Sequence, residues 1–266
     1  DDSSIALGSV IYGPQLSVRT LTGKHDSEGA DWLGTPAIQA AFRVGERWRL
    51  GLGVNAPFGL ETRWRLGTFP MLSVPIPTPI PGLVLPAGLD HPTQSKLEVV
   101  AVVPTVTYVF NDDLSLSAGI DYLNAREATL NTTVTGLDGD GDGWGWNLSA
   151  LYRNGPWSLG AAFHSAVTIG IDGRVTSAFP VPSSLKANVD LDLPWRLQLG
   201  ARYAFNDQLA VEVDWNRTGW SEFEELSVKS SDTGIVIKSD RNDWDDANAY
   251  RVGMTYDIRP ETRLRL

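Results

Sequence analysis

The chain has 266 residues, no cysteine and a formal net charge of −10, with 42% hydrophobic and 20% charged residues. Such acidity disfavours nucleic-acid binding, which needs a basic surface, and the lack of cysteine excludes disulfides, thiolate metal sites and cysteine catalysis. No stretch approaches the ~18 consecutive apolar residues of a transmembrane helix, whereas a mean hydropathy of −0.13 leaves a β-barrel open, because its strands alternate and average out near neutral.

In chain order, period-two alternation predicts strands at 8–20, 36–45, 47–60, 96–111, 113–127, 143–154, 156–170, 189–206, 208–220 and 247–258, with another beginning after Glu261. Leu209, Val211, Val213 and Trp215, for example, oppose Glu212, Asp214 and Asn216. Five tight turns recur: AFRVGERWRLG around Gly45, YVFNDDLSLS around Asp112, LYRNGPWSLG around Gly155, YAFNDQLAVE around Asp207 and YDIRPETRLR around Pro260. An aromatic stands near each turn on the apolar face: Phe42, Phe110, Tyr152, Phe205 and Tyr256. The intervening connections read as long and irregular. An aromatic girdle with short turns on one rim and long loops on the other is the pattern of an outer-membrane barrel, not of a soluble sandwich. The expectation is an all-β, antiparallel up-and-down transmembrane β-barrel, one domain over 1–266, in the outer membrane of a Gram-negative bacterium. The chain opens at Asp1 without an initiator Met or signal peptide and stops at Leu266 as a strand pattern starts. Bacterial barrels close with an even number of strands, so further C-terminal strands are expected.

The third strand is anomalous. Arg49, Gly51, Gly53, Asn55 and Pro57 share its polar face. Glycine weakens strand pairing and marks bends, and Pro57 removes a ladder donor. Gly51, Gly53, Asn55, Ala56, Pro57, Phe58 and Gly59 therefore line either a gap in the wall or an ordinary bulge. The loop that follows, TFPMLSVPIPTPIPGLVLPAGL, is apolar and proline-rich although it lies on an exposed rim. Exposed apolar surface marks binding sites, so Phe69, Met71, Leu72, Val74, Ile76, Ile80, Leu83, Val84 and Leu85 are candidates for a catchment of greasy ligand; packing on neighbouring loops or on lipopolysaccharide is the alternative.

Asp138, Asp140 and Asp142 in LDGDGDG resemble the start of a calcium loop, but the downstream bidentate Glu is missing. A solvated acidic loop is the plainer reading, and it applies equally to Asp240, Asp243, Asp245 and Asp246. Of the three histidines, His25, His91 and His164, only His164 has a neighbouring nucleophile, Ser165, and adjacent strand residues point to opposite faces. Catalysis and a bound cofactor are not expected.

Three ordered stretches carry a resemblance: GLGVNAPFGLETRW (51–64), GWGWNLSALYRNGPWSLGAAFHSAVTIGIDGRVTS (143–177) and VDLDLPWRLQLGARYAFNDQLAVEVDWNRTGWSEFEEL (189–226), the last followed by AYRVGMTYDI. Together they resemble the FadL family of outer-membrane hydrocarbon and fatty-acid transporters. The resemblance implies a barrel of fourteen strands, of which about 10–11 are covered here. It also implies passive passage of long-chain fatty acids, alkanes or aromatic hydrocarbons, which leave sideways through a wall gap at the kinked third strand. The family's N-terminal plug, with its Asn-Pro-Ala motif, is absent from this sequence. Expected partners are a hydrophobic small molecule, membrane lipid and lipopolysaccharide, with the protein acting as a monomer; a general porin or a surface adhesin barrel is the competing function.

Overall fold

The computed structural model describes residues 3–13, 15–28, 33–70, 76–77, 84–85, 91–178, 182–259 and 262–266. The alternating segments form antiparallel strands: β1 (Ser4–Tyr12), β2 (Ser17–Thr20), β3 (Gly23–Asp26), β4 (Leu33–Val44), β5 (Trp48–Arg63), β6 (Ile76–Pro77), β7 (Val84–Leu85), β8 (Pro92–Val109), β9 (Leu114–Thr132) and β10 (Thr135–Asn154). They continue as β11 (Trp157–His164), β12 (Val167–Ser177), β13 (Ser183–Leu193), β14 (Arg196–Ala204), β15 (Leu209–Thr218), β16 (Glu225–Ser230), β17 (Val236–Arg241), β18 (Ala247–Arg259) and β19 (Thr262–Arg265). The wall is one continuous path, β1-β4-β5-β8-β9-β10-β11-β14-β15-β18-β19. Its eleven strands match the number read from the alternation.

The short-turn rim is built as the sequence implies. Gly45 (φ 71°) and Gly155 (φ 54°) take left-handed backbone, which residues with a Cβ rarely adopt. Asn111 and Asn206 close their turns through the side chain: each Oδ1 accepts N–H groups two and three residues on, Asp113 and Leu114 in one case, Gln208 and Leu209 in the other. Pro260 lies outside the described residues, although the hairpin around it pairs Arg259 with Thr262.

Just above this rim two identical aromatic triads face outward. Trp48, Tyr108 and Phe110 meet edge to face at 4.9 and 4.7 Å, and Trp157, Tyr203 and Phe205 at 4.8 and 4.9 Å. Such rings suit the membrane interface, with an apolar body and a polar tip. The same outward face carries Leu50, Val106, Leu116, Ile120, Leu148, Leu159, Val213 and Val252, all exposed, as lipid-facing positions should be.

Besides the first strand, which runs Ser4–Tyr12 and leaves Ser17–Thr20 to a separate hairpin with β3, two features depart from the sequence reading. First, β8, β9 and β10 run for 18, 19 and 20 residues, against the ~9–11 that cross a bilayer. They extend beyond the apolar band as a tower. LDGDGDG is therefore not a loop: β9 and β10 meet in a tight turn at Thr133 and Val134, and the opposite rim is not uniformly long-looped. Asp and Gly, both turn formers, disguised an alternation that places Asp138, Asp140 and Asp142 outward and Gly139, Gly141 and Gly143 inward. The glycines are needed because the sheet folds sharply inward from β10 to its ladder neighbour β12, bringing β12 backbone against their inward side. A Cβ on Gly139 would come within 2.8 Å of the Asp172 carbonyl, one on Gly143 within 2.5 Å of the Thr168 carbonyl, and one on Gly141 would collide with the Gly170 carbonyl.

Second, two predicted strands are each broken in two. β11 gives way to β12 at Ser165–Ala166, and β13 to β14 at Pro194–Trp195, where proline offers no N–H to a ladder. A 3-10 turn at Trp220–Glu222 separates β15 from β16 at the same level. The lower halves stay in the wall. The upper halves, β12-β13-β16-β17, branch from β10 as a half-sheet. Its apolar side, Ile169, Ile171, Val189, Leu191 and Val228, packs on Val99, Ala101, Leu123 and Ala125 of the inner tower wall. This is the main buried apolar cluster of the described residues, and it sits inside the sheet's curve.

Candidate functional site

The glycine- and proline-containing third wall strand is β5. Gly51 faces Ala41 and Thr105, and Gly53 faces Gln39 and Val103, so both lie in intact ladders. A Cβ on Gly51 would clash with the Thr105 hydroxyl, whereas one on Gly53 would meet Val103 Cβ at an ordinary 3.7 Å. The regularity then ends on both sides. Toward β8 the register passes from Asn55↔Ala101 to Phe58↔Val99, so Ala56 and Pro57 together face Val100. That is a β-bulge, which bends the strand. Toward β4 the last pair is Ile38↔Val54. Beyond it β4 runs on with β1 as far as Leu33↔Tyr12, while β5 runs on with β8 as far as Arg63↔Gln94. Among the described residues no ladder joins 33–37 of β4 to 55–63 of β5. The two strands part in a wedge.

The wedge begins seven residues above the Arg47 turn, ~17 Å up a strand tilted by about 45°. That height is within the apolar band. Its upper end is capped: the Glu28 amide donates to the Arg63 carbonyl at 2.9 Å, and Arg65 Nε to Glu28 Oε1 at 2.7 Å. Glu61, on the same stretch of β5, is buried and accepts from Arg63 Nε and Gln94 Nε2, both at 2.8 Å. Sequence reasoning passed over Glu61, although the charge repeat in ETR was a signal. Its cross-strand neighbour Lys96 reaches Glu127 at 2.6 Å, and this hydrogen bond raises the lysine's pKa. Asn55, Ala56, Pro57 and Gly59 thus gather at the wedge; Phe58 and Leu60 contribute backbone, and their side chains lie outside the description.

Of the greasy loop, Phe69 stacks edge to face on Trp64 at 5.6 Å and lies 5.5 Å from the His91 ring. His91 is fully buried, and among the described residues its Nδ1 has no hydrogen-bond partner. Ile76 and Pro77 pair antiparallel with Leu85 and Val84 as two short strands. Met71, Leu72, Val74, Ile80 and Leu83 lie outside the described residues.

Inside the wall, at the level where the half-sheet turns inward, Asp121 is buried. It accepts from Asn147 Nδ2 at 2.8 Å and contacts His164 Nδ1 at 2.6 Å, with Arg196 as His164's cross-strand neighbour. Ser165 does not obey simple alternation, because the strand breaks there; its Oγ accepts the Trp146 amide at 3.0 Å instead of a bond from His164. Asp138, Asp140 and Asp142 form a row along a strand. Among the described residues no three His, Cys, Asp or Glu side chains converge as a metal ion would require.

One loop contact titrates. Asp246 accepts from Ser221 Oγ at 2.7 Å and from Arg217 Nη2 at 2.9 Å. The Ser221 hydrogen bond, followed by that of Arg217, holds its carboxyl below the usual carboxylate range. A folded-state pKa below the unfolded one gives stability that is present above the unfolded value and lost as pH falls through the folded value. The 242–246 loop is therefore expected to resist proteolysis at neutral pH and to become cleavable on acidification, with Asp246→Asn cleavable throughout. Wild-type cleavage that ignores acidification would contradict this clamp.

Comparison with known proteins gives concordant results. The profile of the family described as "Outer membrane protein transport protein (OMPP1/FadL/TodX)" matches residues 86–266. A 47 kDa outer membrane protein of Pasteurella multocida (strain Pm70) is 26% identical over 151 residues, or 51% of this chain and 35% of the relative. The chain thus spans about a third of that relative's length. A Pseudomonas aeruginosa FadL homologue superimposes with a TM-score of 0.75 at 18% identity, covering 99% of this chain and 68% of the other. The Pseudomonas putida toluene transporter TodX gives 0.69 at 18%, covering 100% and 73%. The CymD monoaromatic hydrocarbon channel gives 0.55 at 19%, covering 95% and 69%.

Proposed function

We propose, starting from the fact that the chain belongs to the FadL/TodX family of outer-membrane transport proteins, that it forms the wall through which a hydrophobic compound leaves sideways into the bilayer. The observation that carries this reading is the parted ladder beyond Ile38↔Val54, beside the bulge at Ala56–Pro57. Unpaired backbone at membrane depth is tolerated only where it lines a cavity or is covered by protein. A gap lined by Asn55, Ala56, Pro57, Phe58 and Gly59, with the paired Gly53 just beneath it and Gly51 lower in the wall, would meet that condition as the mouth of a passage. The buried apolar cluster around Ile169 and Val99 supports an apolar cargo over the hydrophilic solutes of a general porin.

The cargo would be a long-chain fatty acid, an alkane or an aromatic hydrocarbon, with Phe69 and the apolar loop after it as the external catchment. Each CH₂ moved from water to an apolar site gains ~0.8 kcal/mol, so no energy source is needed for entry. No residue is assigned a catalytic role: the Asp121–His164 pair lacks a hydroxyl bonded to the imidazole among the described residues.

The test is uptake and conductance of the full-length protein. In proteoliposomes it should speed entry of a fluorescent long-chain fatty acid or of radiolabelled toluene while giving no large steady ionic current in planar bilayers. Large current without hydrophobic uptake would replace this reading with a porin.

A further inference from the structure

On β10 one outward-facing row reads Tyr152, Ala150, Leu148, Trp146, Trp144, then Asp142, Asp140, Asp138. From Tyr152 to Trp144 is eight residues, ~20 Å of height, close to the ~25 Å apolar band of an outer-membrane barrel. Trp144, 65% exposed and packed on Tyr122 at 4.5 Å, marks the upper interface. Charge begins one step above it. The register then carries one polar row around the tower: Glu61↔Lys96, Lys96↔Thr129, Thr129↔Asp138, Asp138↔Arg174, Arg174↔Lys186. On β10 the charged stretch therefore begins at the headgroup layer of the outer leaflet, and Arg174 of β12 and Lys186 of β13 are the next two members of the row from Asp138.

Part of this row is internally satisfied. Lys96 holds Glu127 at 2.6 Å, and Thr129 donates to Asp138 at 3.1 Å. The part around β12 and β13 is different. Arg126, Arg174 and Lys186 line an open hollow of about 800 Å³ together with Asp138, Asp140 and Asp172. Among the described residues none of these three cations makes an ion pair, although carboxylates line the same hollow. Charges of both signs left apart suit a ligand that brings both signs with it.

We propose that this hollow docks the phosphate-bearing headgroup of an outer-leaflet glycolipid. Arg126, Arg174 and Lys186 take its phosphates, Arg174 and Lys186 acting as cross-strand neighbours, since guanidinium groups bind phosphate oxygens in pairs. Asp140 and Asp172, directly opposite each other in the β10–β12 ladder, take the divalent cation that accompanies such phosphates. The acyl chains lie against Trp144 and Trp146 below. The proposal rests on the outer-membrane placement of the chain, not on its transport activity.

The experiment uses the full-length protein in detergent, with native mass spectrometry reading bound bisphosphorylated lipid A in the presence of magnesium. The variant combining Arg126→Ala, Arg174→Ala and Lys186→Ala is expected to lose about tenfold or more in occupancy, each lost contact to a charged group being worth a sizeable factor. Arg174→Lys is expected to keep most of it. Asp140→Asn with Asp172→Asn should bind lipid A without the gain from magnesium. Unboiled gel mobility confirms the folded barrel in each case, and hydrophobic uptake should be unchanged. Equal occupancy in the triple variant would overturn the proposal, as would equal binding of dephosphorylated lipid A. Displacement by millimolar inorganic phosphate would overturn it in favour of a simple anion site.

Discussion

Gly53→Leu is expected to lower uptake of a hydrophobic probe by the full-length protein about tenfold, equivalent to ~1.4 kcal/mol on the barrier, with no loss of assembled barrel. The argument depends on which glycine is changed. Gly53 stands one residue below the last β4–β5 pair, and a Cβ there meets only Val103 at 3.7 Å. The wall therefore accepts the side chain, which projects inward just beneath the parted ladder. Gly51, two residues lower, is the contrasting position: a Cβ there crowds the Thr105 hydroxyl, so Gly51→Leu should disturb assembly first and uptake only in consequence. Pro57→Val restores the missing N–H and removes the fixed backbone angle. It is expected to relax the bulge and to slow uptake in the same direction. Unchanged uptake in both Gly53→Leu and Pro57→Val, with barrels formed, would remove the sideways exit from consideration.

Gly141→Val is expected to detach the half-sheet from the tower while leaving the wall in place. The Cβ it introduces collides with the Gly170 carbonyl, a backbone atom that cannot rotate away. Overpacking of this kind costs ~1–3 kcal/mol, and here the only relief is separation of the β10–β12 ladder. That separation would expose Ile169, which is 0% exposed, and the apolar cluster around it. The readouts are proteolysis in the connection between Ser177 and Ser183 and binding of a hydrophobic dye, with unboiled gel mobility unchanged. Asp142→Val places the same β-branched side chain on the outward side of the same strand and should alter neither. If the two variants behave alike, the inward fold of the half-sheet is not what the glycines are for.

The wall was legible because its physics is local. Alternation assigns faces, and Gly45, Gly155, Asn111 and Asn206 close turns with their own backbone freedom or side-chain oxygens. The bulge at Ala56–Pro57 was legible in part, since Pro57 offers no N–H to a ladder, whereas Gly53 pairs regularly on both sides. The other edge of the wedge was not. Nothing in residues 33–37 says that they stay with β1 while β5 turns toward β8; that depends on two ladders competing for one strand. The tower was misread because Asp and Gly favour turns on their own, and only pairing with β9 and with the closely approaching β12 makes Gly139, Gly141 and Gly143 strand residues. The corner at Ser165–Ala166 and Pro194–Trp195 was hidden because alternation continues on either side of each break. Glu61 and His91 became visible only as buried polar groups, a property of the packed structure.

The most direct measurement is photolabelling during transport. A fatty acid carrying a diazirine at its tail would be passed through the full-length protein in outer-membrane vesicles, and the adducts mapped by mass spectrometry. The account predicts adducts at 33–37 and 55–60, on the two sides of the wedge, with few at the short turns around Gly45, Asp112, Gly155 and Asp207. Adducts running down the inner wall to those turns, with none at the wedge, would contradict it.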